Sequence, residues 1–470
     1  MSTQNDTIVA ISTAPGVGGI AVIRISGPEA IPIVSKLFRP KRSTLKLSEM
    51  RPWTCAFGKI LDIQGEELDE IILTMFHRPN SFTGEDLIEL SCHGSIYVQQ
   101  QVLLTLVQGG CRLAQPGEYT RRAFLNGRID LSQAEAVGDL IAARSRSAHR
   151  LALSQMKGHF GQAISTLREQ LLHFTSLVEL ELDFSDHEDL EFADRKSLKK
   201  LADEIAQEIR RLRDSFAAGN AIKNGIPVAI VGETNAGKST LLNLLCGEEK
   251  AIVSQLHGTT RDLIEDEVIL QGVLFRFIDT AGIRQTSDPI EKMGIDRTYH
   301  AIEQAHIVIW VVDGSAVSKH ITDLAEVIKK RIDSAKQKPH LIIALNKSDT
   351  FNTSERETLF NEFIDYEKPV FISAKYGDGT EELKRRIFSL SDISTDENAD
   401  ITVTNIRHFD ALRRAGEAIE RVQKGMNCQL SGDLLAEDLR DCIQALGEIT
   451  GEITSDEVLG NIFKNFCVGK

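Results

Sequence analysis

The segment Gly232-Glu-Thr-Asn-Ala-Gly237-Lys238-Ser239 sets glycines, a lysine and a hydroxyl at the spacing of a phosphate-binding loop, between the apolar run Pro227 to Val231 and the apolar stretch Leu241 to Leu245. Each residue type has a task in such a loop. The glycines permit a tight turn that aims backbone N–H groups at phosphates, and the N-terminus of the following helix adds positive potential. Lys238 offsets β/γ charge, and Ser239 ligates magnesium. Phosphate contacts are therefore expected along Asn235, Ala236, Gly237, Lys238, Ser239 and Thr240.

Further short motifs follow in the order that a guanine-nucleotide site requires. In the loop Ser254, Gln255, Leu256, His257, Gly258, Thr259 and Thr260, a threonine hydroxyl can complete the magnesium shell, the assigned ligands being Ser239 and Thr260. Asp279-Thr280-Ala281-Gly282 closes an apolar run, where the carboxylate can hold the metal through water and Gly282 can sense the γ-phosphate. In Asn346-Lys347-Ser348-Asp349 a carboxylate can accept hydrogen bonds from guanine N1–H and the N2 amino group, neither of which adenine offers. Ser373, Ala374 and Lys375 follow a last apolar run, where the Ala374 N–H can meet guanine O6. Hydrolysis also needs a group that orients water, and Ile283 stands where Ras-type proteins place a glutamine. An aliphatic side chain cannot do this, so the task falls to Arg284, Gln285, Glu291 or a partner; Arg284 is either a finger or a solvated residue.

These motifs need an α/β scaffold, and apolar runs at Pro227 to Val231, Phe275 to Ile278, Ile307 to Val312, Leu341 to Leu345 and Val370 to Ile372 supply its strands. Before it, residues 1–120 alternate short apolar runs (Ile8 to Ile11, Ile20 to Ile25, Ile71 to Met75) with Gly and Pro, and carry one clear helix near Ser95 to Val107. That pattern predicts a small α+β domain. Helical periodicity then runs through Leu131, Ala134, Val137 and Leu140, and through Ile164, Leu167, Leu171, Phe174 and Val178. The acidic stretch Asp183 to Glu191 lacks calcium-loop spacing and reads as a loop. After a polar linker, Ser391 to Asp400, helical periodicity resumes to the end. A multidomain α/β chain follows: an N-terminal α+β domain (1–120), a helical domain split between 121–220 and 393–470, and an inserted nucleotide domain (221–392).

With 470 residues, 42% hydrophobic and 26% charged, the composition is that of an ordinary globular chain of several cores. No run reaches the roughly 18 apolar residues of a membrane span, and Met1 to Asp6 lacks a signal peptide's blocks. A cytoplasmic location with no membrane partner is expected. The seven cysteines are scattered without a CxxC pair, so reduced thiols are expected; those other than Cys467, with Trp53 and Trp310, read as core or boundary packing. A net charge of -14 argues against nucleic-acid binding by bulk charge. Arg121, Arg122, Arg128, Arg144, Arg146 and Arg150 form either a local RNA-facing patch or a solvated helix face.

Beyond the nucleotide motifs, Asp6-Thr-Ile-Val-Ala, Pro15-Gly-Val-Gly-Gly19, Arg24-Ile-Ser-Gly27, Ser81-Phe-Thr-Gly-Glu-Asp86, Pro116-Gly-Glu-Tyr-Thr-Arg121, Phe124-Leu-Asn-Gly-Arg128 and the terminal Cys467-Val-Gly-Lys470 resemble the MnmE (TrmE) family of tRNA-modification GTPases nearly end to end. The resemblance implies an N-terminal folate-binding and dimerising domain, a helical domain in two segments and an inserted Ras-like G domain. It implies a homodimer which, with an FAD-containing partner of the MnmG (GidA) family, adds a carboxymethylaminomethyl or aminomethyl group to C5 of wobble uridine in certain tRNAs. The one-carbon unit would come from 5,10-methylene- or 5-formyl-tetrahydrofolate, and GTP hydrolysis would time the cycle.

By the same resemblance, Arg24, Glu89, Arg128 and Lys470 match folate-contacting positions, and Asn235, Ser254, Leu256 and Thr259 match a potassium site that replaces an arginine finger. Glu291 matches a water-orienting, catalytic glutamate alongside Lys238, and Cys467 a residue needed for modification but not for hydrolysis. Glu89 and His93 alone make too few ligands for zinc. The chain departs from the family at Glu233-Thr234, where a basic or variable residue and proline are usual, and at Val468, where isoleucine is common. A ribosome-assembly GTPase of the Era or EngA type shares the nucleotide motifs, but this chain has no GxxG clamp in a βα setting. A folate-binding scaffold with a G-domain switch is the other alternative, and Cys467 separates it from the modifying enzyme.

Overall fold

The computed structural model describes residues 6–183, 195–233, 235–248, 265–278, 301–316, 319–335, 338–364, 366–391, 401–428, 430–464, 466 and 468–469. The chain forms two compact units: Met1–Gly138 with Gln155–Ala206 and Arg414–Lys470, and Asp139–Ser154 with Gln207–Arg413.

In the first unit β1 (Ile8–Ile11), β2 (Ile20–Ser26), β3 (Phe38–Pro40), β4 (Thr54–Leu61), β5 (Glu67–Phe76), β6 (Leu87–His93) and β7 (Arg112–Leu113) form a 7-stranded sheet in the order β3-β4-β5-β6-β2-β1-β7. Its pairs are antiparallel except β1 with β7. Alternation decides its faces: Ala21, Ile23 and Ile25 of β2 and Ile71, Leu73 and Met75 of β5 are buried in one core with Val34 of the helix Ala30–Leu37 and Val102 and Leu106 of the helix Ile96–Gln108. Removing one such aliphatic side chain costs about 2–5 kcal/mol. Gly58 is needed where β3 meets β4, since a Cβ there would lie 2.3 Å from the Arg39 carbonyl oxygen.

The helix His159–Asp183 packs against Gly432–Thr450, joining segments that lie before and after Gln207–Arg413 in sequence. The expected stripe Ile164, Leu167, Leu171, Phe174 and Val178 is buried, as are Leu439, Cys442, Leu446 and Ile449 of its partner. Arg168 pairs with Glu452 and Arg440 with Glu179 between these segments. The last described helix, Asp456–Lys464, buries Leu459 and Phe463 against Leu131 and Ala134.

In the second unit β8 (Ile226–Val231), β9 (Glu265–Leu270), β10 (Val273–Ile278), β11 (Ile307–Asp313), β12 (His340–Asn346) and β13 (Val370–Phe371) form a 6-stranded sheet, order β13-β12-β11-β8-β10-β9, parallel except for β9. Helices cover both faces. Leu241, Leu245, Leu383 and Ile387 from Lys238–Glu248 and Thr380–Ser389 pack on one, and Ala325, Ile328, Leu359 and Phe363 from Lys319–Ser334 and Thr353–Phe363 on the other. Such doubly wound sheets place ligands beyond the carboxyl ends of their strands.

Several expectations need correction. Residues 1–120 contain the helix Ala30–Leu37 besides Ile96–Gln108. Trp53 is 68% exposed, with φ 59° in a turn that its side chain cannot bury, whereas Trp310 is core and meets Phe363 edge-on at 5.7 Å. Cys55 and Cys428 are exposed, not packed. Arg122 is buried among carboxylates and Arg144 is paired with Glu267, so neither belongs to a free basic patch. The acidic stretch from residue 184 lies outside the described residues.

Candidate functional site

The phosphate loop leaves the carboxyl end of β8, and contact geometry explains its glycines. A Cβ on Gly232 (φ 148°) would lie 2.2 Å from the Val311 carbonyl oxygen, and one on Gly237 (φ 97°) 2.1 Å from Asn346 Nδ2. Asn235 takes a left-handed φ of 67° and is exposed, while Ala236 is buried. Lys238 opens its helix and folds back, Nζ donating to the carbonyls of Gly232 and Glu233 at 2.7 Å each. Burial pushes its pKa below the usual lysine value, only partly offset by Glu233. An ammonium that burial disfavours gains from an anion placed beside it, and a polyphosphate is one. Ser239 and Thr240 are exposed in the first turn of this helix.

Asn346, at the end of β12 and buried, ties two loops together. Its Nδ2 donates to the Ala236 carbonyl at 2.7 Å, and its Oδ1 accepts from the Ala374 N–H at 2.9 Å. That N–H, assigned above to guanine O6, is engaged with Asn346 here, so a purine O6 must share or replace the bond. Asp349 accepts from Ser373 Oγ at 2.6 Å through Oδ1. Lys347 has φ 63°, and its ammonium pairs with Asp313 at the end of β11. Burial raises the Asp313 carboxyl, but Lys347 and Ser315 outweigh it and hold the pKa below the usual range. Lys375 is exposed, its Nζ 4.8 Å from the Tyr376 ring centroid. The structure thus brings together Asn235 to Thr240, Asn346, Lys347, Asp349 and Ser373 to Lys375. Ser254, Gln255, Leu256, His257, Gly258, Thr259, Thr260, Asp279, Thr280, Ala281, Gly282, Ile283, Arg284, Gln285 and Glu291 lie outside the described residues.

A second constellation lies in the first unit. Arg24 on β2 and Glu89 on β6 are register partners, bonded to Glu89 Oε1 from Nη2 at 2.7 Å and from Nε at 2.9 Å. The guanidinium carbon lies 5.4 Å from the Phe82 ring centroid and 5.7 Å from that of Tyr119. Tyr119 is buried, and its hydroxyl donates to the Arg24 carbonyl at 2.7 Å. The loop holding Phe82 is fastened by Ser26 to Thr83 at 2.7 Å, Ser26 to Glu85 at 2.8 Å and Asn126 to the Thr83 carbonyl at 2.7 Å. Arg128 is exposed and borders this loop: a Cβ on Gly84 would be 3.1 Å from its Cγ. Gly469 is buried against the end of β1, its carbonyl accepting from Ser12 Oγ at 3.1 Å; Cys467 and Lys470 lie outside the described residues. His93 pairs with Asp69 at 2.7 Å, and no cluster of metal-ligating side chains occurs among the described residues.

The sequence placed Arg122 on a basic patch or a solvated face and missed its pairing with Asp6 and Glu85 and, at 3.1 Å, Glu118. Its signal was three carboxylates, at Asp6, Glu85 and Glu118, within the same motifs that carry the resemblance. It also missed Asp313, Phe82 and Tyr119.

Comparison with known proteins divides the chain near residue 130. Residues 131–467 match the family described as MnmE helical domain, and residues 7–128 that described as GTP-binding protein TrmE N-terminus. The chain is 56% identical over 464 residues to the tRNA modification GTPase MnmE of Parabacteroides distasonis, covering 99% of this chain and 100% of that one. It is 54% identical over 472 residues to that of Bacteroides fragilis (99% and 100%) and 48% over 468 residues to that of Flavobacterium johnsoniae (99% and 100%).

Proposed function

The chain belongs to the MnmE family of tRNA modification GTPases and is a GTP hydrolase, and from that premise we propose that it acts on tRNA as a homodimer with an FAD-dependent MnmG (GidA) partner in the cytoplasm. The proposed reaction adds a carboxymethylaminomethyl or aminomethyl group to C5 of wobble uridine, using a one-carbon unit from 5,10-methylene- or 5-formyl-tetrahydrofolate.

The observation that carries the nucleotide half is the Asn346 bridge between Ala236 and Ala374, which fixes the phosphate loop to the base loop. Asp349 then reads guanine, and the N–H groups of Asn235 to Thr240 with Lys238 take the phosphates. The Ser239 hydroxyl, exposed in the first turn of its helix, suits magnesium, with Thr260 as the other ligand. Asn235, exposed with a left-handed backbone, suits potassium together with Ser254, Leu256 and Thr259. Cations held by these residues would supply positive charge against that developing on the phosphates. Glu291 orients the attacking water, and Cys467 serves modification rather than hydrolysis.

The pair Arg24–Glu89 beside the Phe82 and Tyr119 rings offers hydrogen-bonding groups of both signs and aromatic faces, a donor set that suits a pterin. Arg128 and Lys470 are assigned to the acidic tail of the folate. The test is reconstitution of the purified chain with its flavoprotein partner, folate, GTP and unmodified tRNA, followed by mass spectrometry of wobble uridine. A mass gain lost in Cys467→Ser, with hydrolysis retained, supports the reading; an unchanged uridine with wild type overturns it.

A further inference from the structure

The hairpin β9–β10 has an unusual setting. It occupies the sheet edge, with β9 paired only to β10 among the described strands, and it turns through Gln271 (φ 51°) and Gly272 (φ 83°), the left-handed pair of a tight two-residue hairpin. Its open end faces the chemistry in sequence: β9 starts shortly after Thr260, and β10 ends at Ile278, immediately before Asp279.

Its turn and the body of its edge strand are held by residues from far earlier in the chain. Ser147, in the first turn of the helix Arg146–Met156, donates to the Gly272 carbonyl through N–H at 3.2 Å and Oγ at 2.9 Å. Arg144 Nη1 reaches both oxygens of Glu267 on β9, at 2.8 and 2.7 Å. Lys223 holds Asp139 of the same stretch at 2.7 Å. Residues Asp139–Ser154 therefore cluster with the nucleotide unit, although the helix Leu131–Ala142 that leads into them has its first residues, to Gly138, in the other unit.

The Arg144 and Glu267 side chains are 54% and 24% exposed, and exposed ion pairs stabilise folds little. A grip of this kind, on the turn and on the edge strand, contributes little to the core, yet it is directional. We propose that Arg144 and Ser147 are positioning residues of the GTPase cycle: they transmit displacement of the β9–β10 hairpin to the helix Leu131–Ala142. Coupling of this kind requires an element whose arrangement the nucleotide biases, and an edge hairpin whose open end adjoins the nucleotide-sensing motifs is such an element.

The test is amide hydrogen exchange of the full-length chain, following peptides that cover residues 131–142, with GDP and with a non-hydrolysable GTP analogue. Wild type is expected to exchange differently in the two states. Arg144→Glu should lose that difference while binding the analogue as wild type does, and the charge swap Arg144→Glu with Glu267→Arg should restore it. A difference that persists in Arg144→Glu, its absence in wild type, or failure of the swap overturns the proposal. Should Arg144→Glu lose protection in both states, Arg144→Gln takes its place, and nucleotide dependence persisting there overturns it equally. No tRNA enters the measurement, so its outcome is independent of the modification reaction.

Discussion

Asn346 donates from Nδ2 to the main-chain carbonyl of Ala236 at 2.7 Å, so a residue of the guanine motif holds the phosphate loop directly. Asn346→Ala leaves that carbonyl and the Ala374 N–H unpaired in a buried setting, at a cost of about 1–3 kcal/mol. GTP affinity should fall roughly 5- to 150-fold by calorimetric titration. Unchanged affinity would mean that the bridge does not shape the site.

Ser373 Oγ donates to one carboxylate oxygen of Asp349, and the proposed contact with the base falls to the other. Asp349→Asn removes the acceptor for guanine N1–H and N2 and offers a donor instead, which suits the C2 carbonyl of xanthine. Competition between GTP and xanthosine triphosphate should invert, with GTP weakened by about 100-fold or more. Retained guanine preference would move Asp349 to a structural role.

For hydrolysis, the expected rate is far higher in potassium than in sodium, and Glu291→Ala should lose turnover while keeping GTP binding. Steady-state phosphate release in the two salts checks the first point. Equal rates would remove the potassium assignment, and loss of binding in Glu291→Ala would remove Glu291 from the reaction.

Arg122 is buried with Asp6, Glu85 and Glu118 around it. Burial raises the Asp6 and Glu118 carboxyls, but the Arg112 and Arg122 guanidiniums outweigh it and hold both below their ordinary values. Depressed carboxyls contribute stability above their unfolded pKa values, about 3.9 and 4.3, and lose it as pH falls through the lower folded values. Thermal melts should therefore be flat in this term above about pH 5 and decline below about pH 4. Arg122→Ala strands the carboxylates and should cost about 3–5 kcal/mol at neutral pH. A melt unchanged at pH 7 would contradict this.

What the sequence made legible was local. The runs at Ile8 to Ile11, Pro227 to Val231 and Ile307 to Val312 became strands because buried strands read as apolar blocks. β9 was hidden by Glu265, Asp266 and Glu267, charges that suit a sheet edge. β4 was hidden by its outward Phe57 and by Gly58, and Ala30–Leu37 by Pro32, which a first helical turn tolerates. The nucleotide motifs were legible because each is contiguous. Arg122–Asp6, Lys347–Asp313 and Arg144–Glu267 join residues far apart in the chain, and no spacing announces them.

The central claim is that GTP hydrolysis by this chain serves wobble-uridine modification. Its most direct measurement is nucleoside analysis of tRNA from cells lacking the chain, complemented with wild type or with Lys238→Ala. Modified wobble uridines should vanish on deletion, return with wild type and stay absent with Lys238→Ala. Unchanged nucleosides in the deleted cells would contradict the claim.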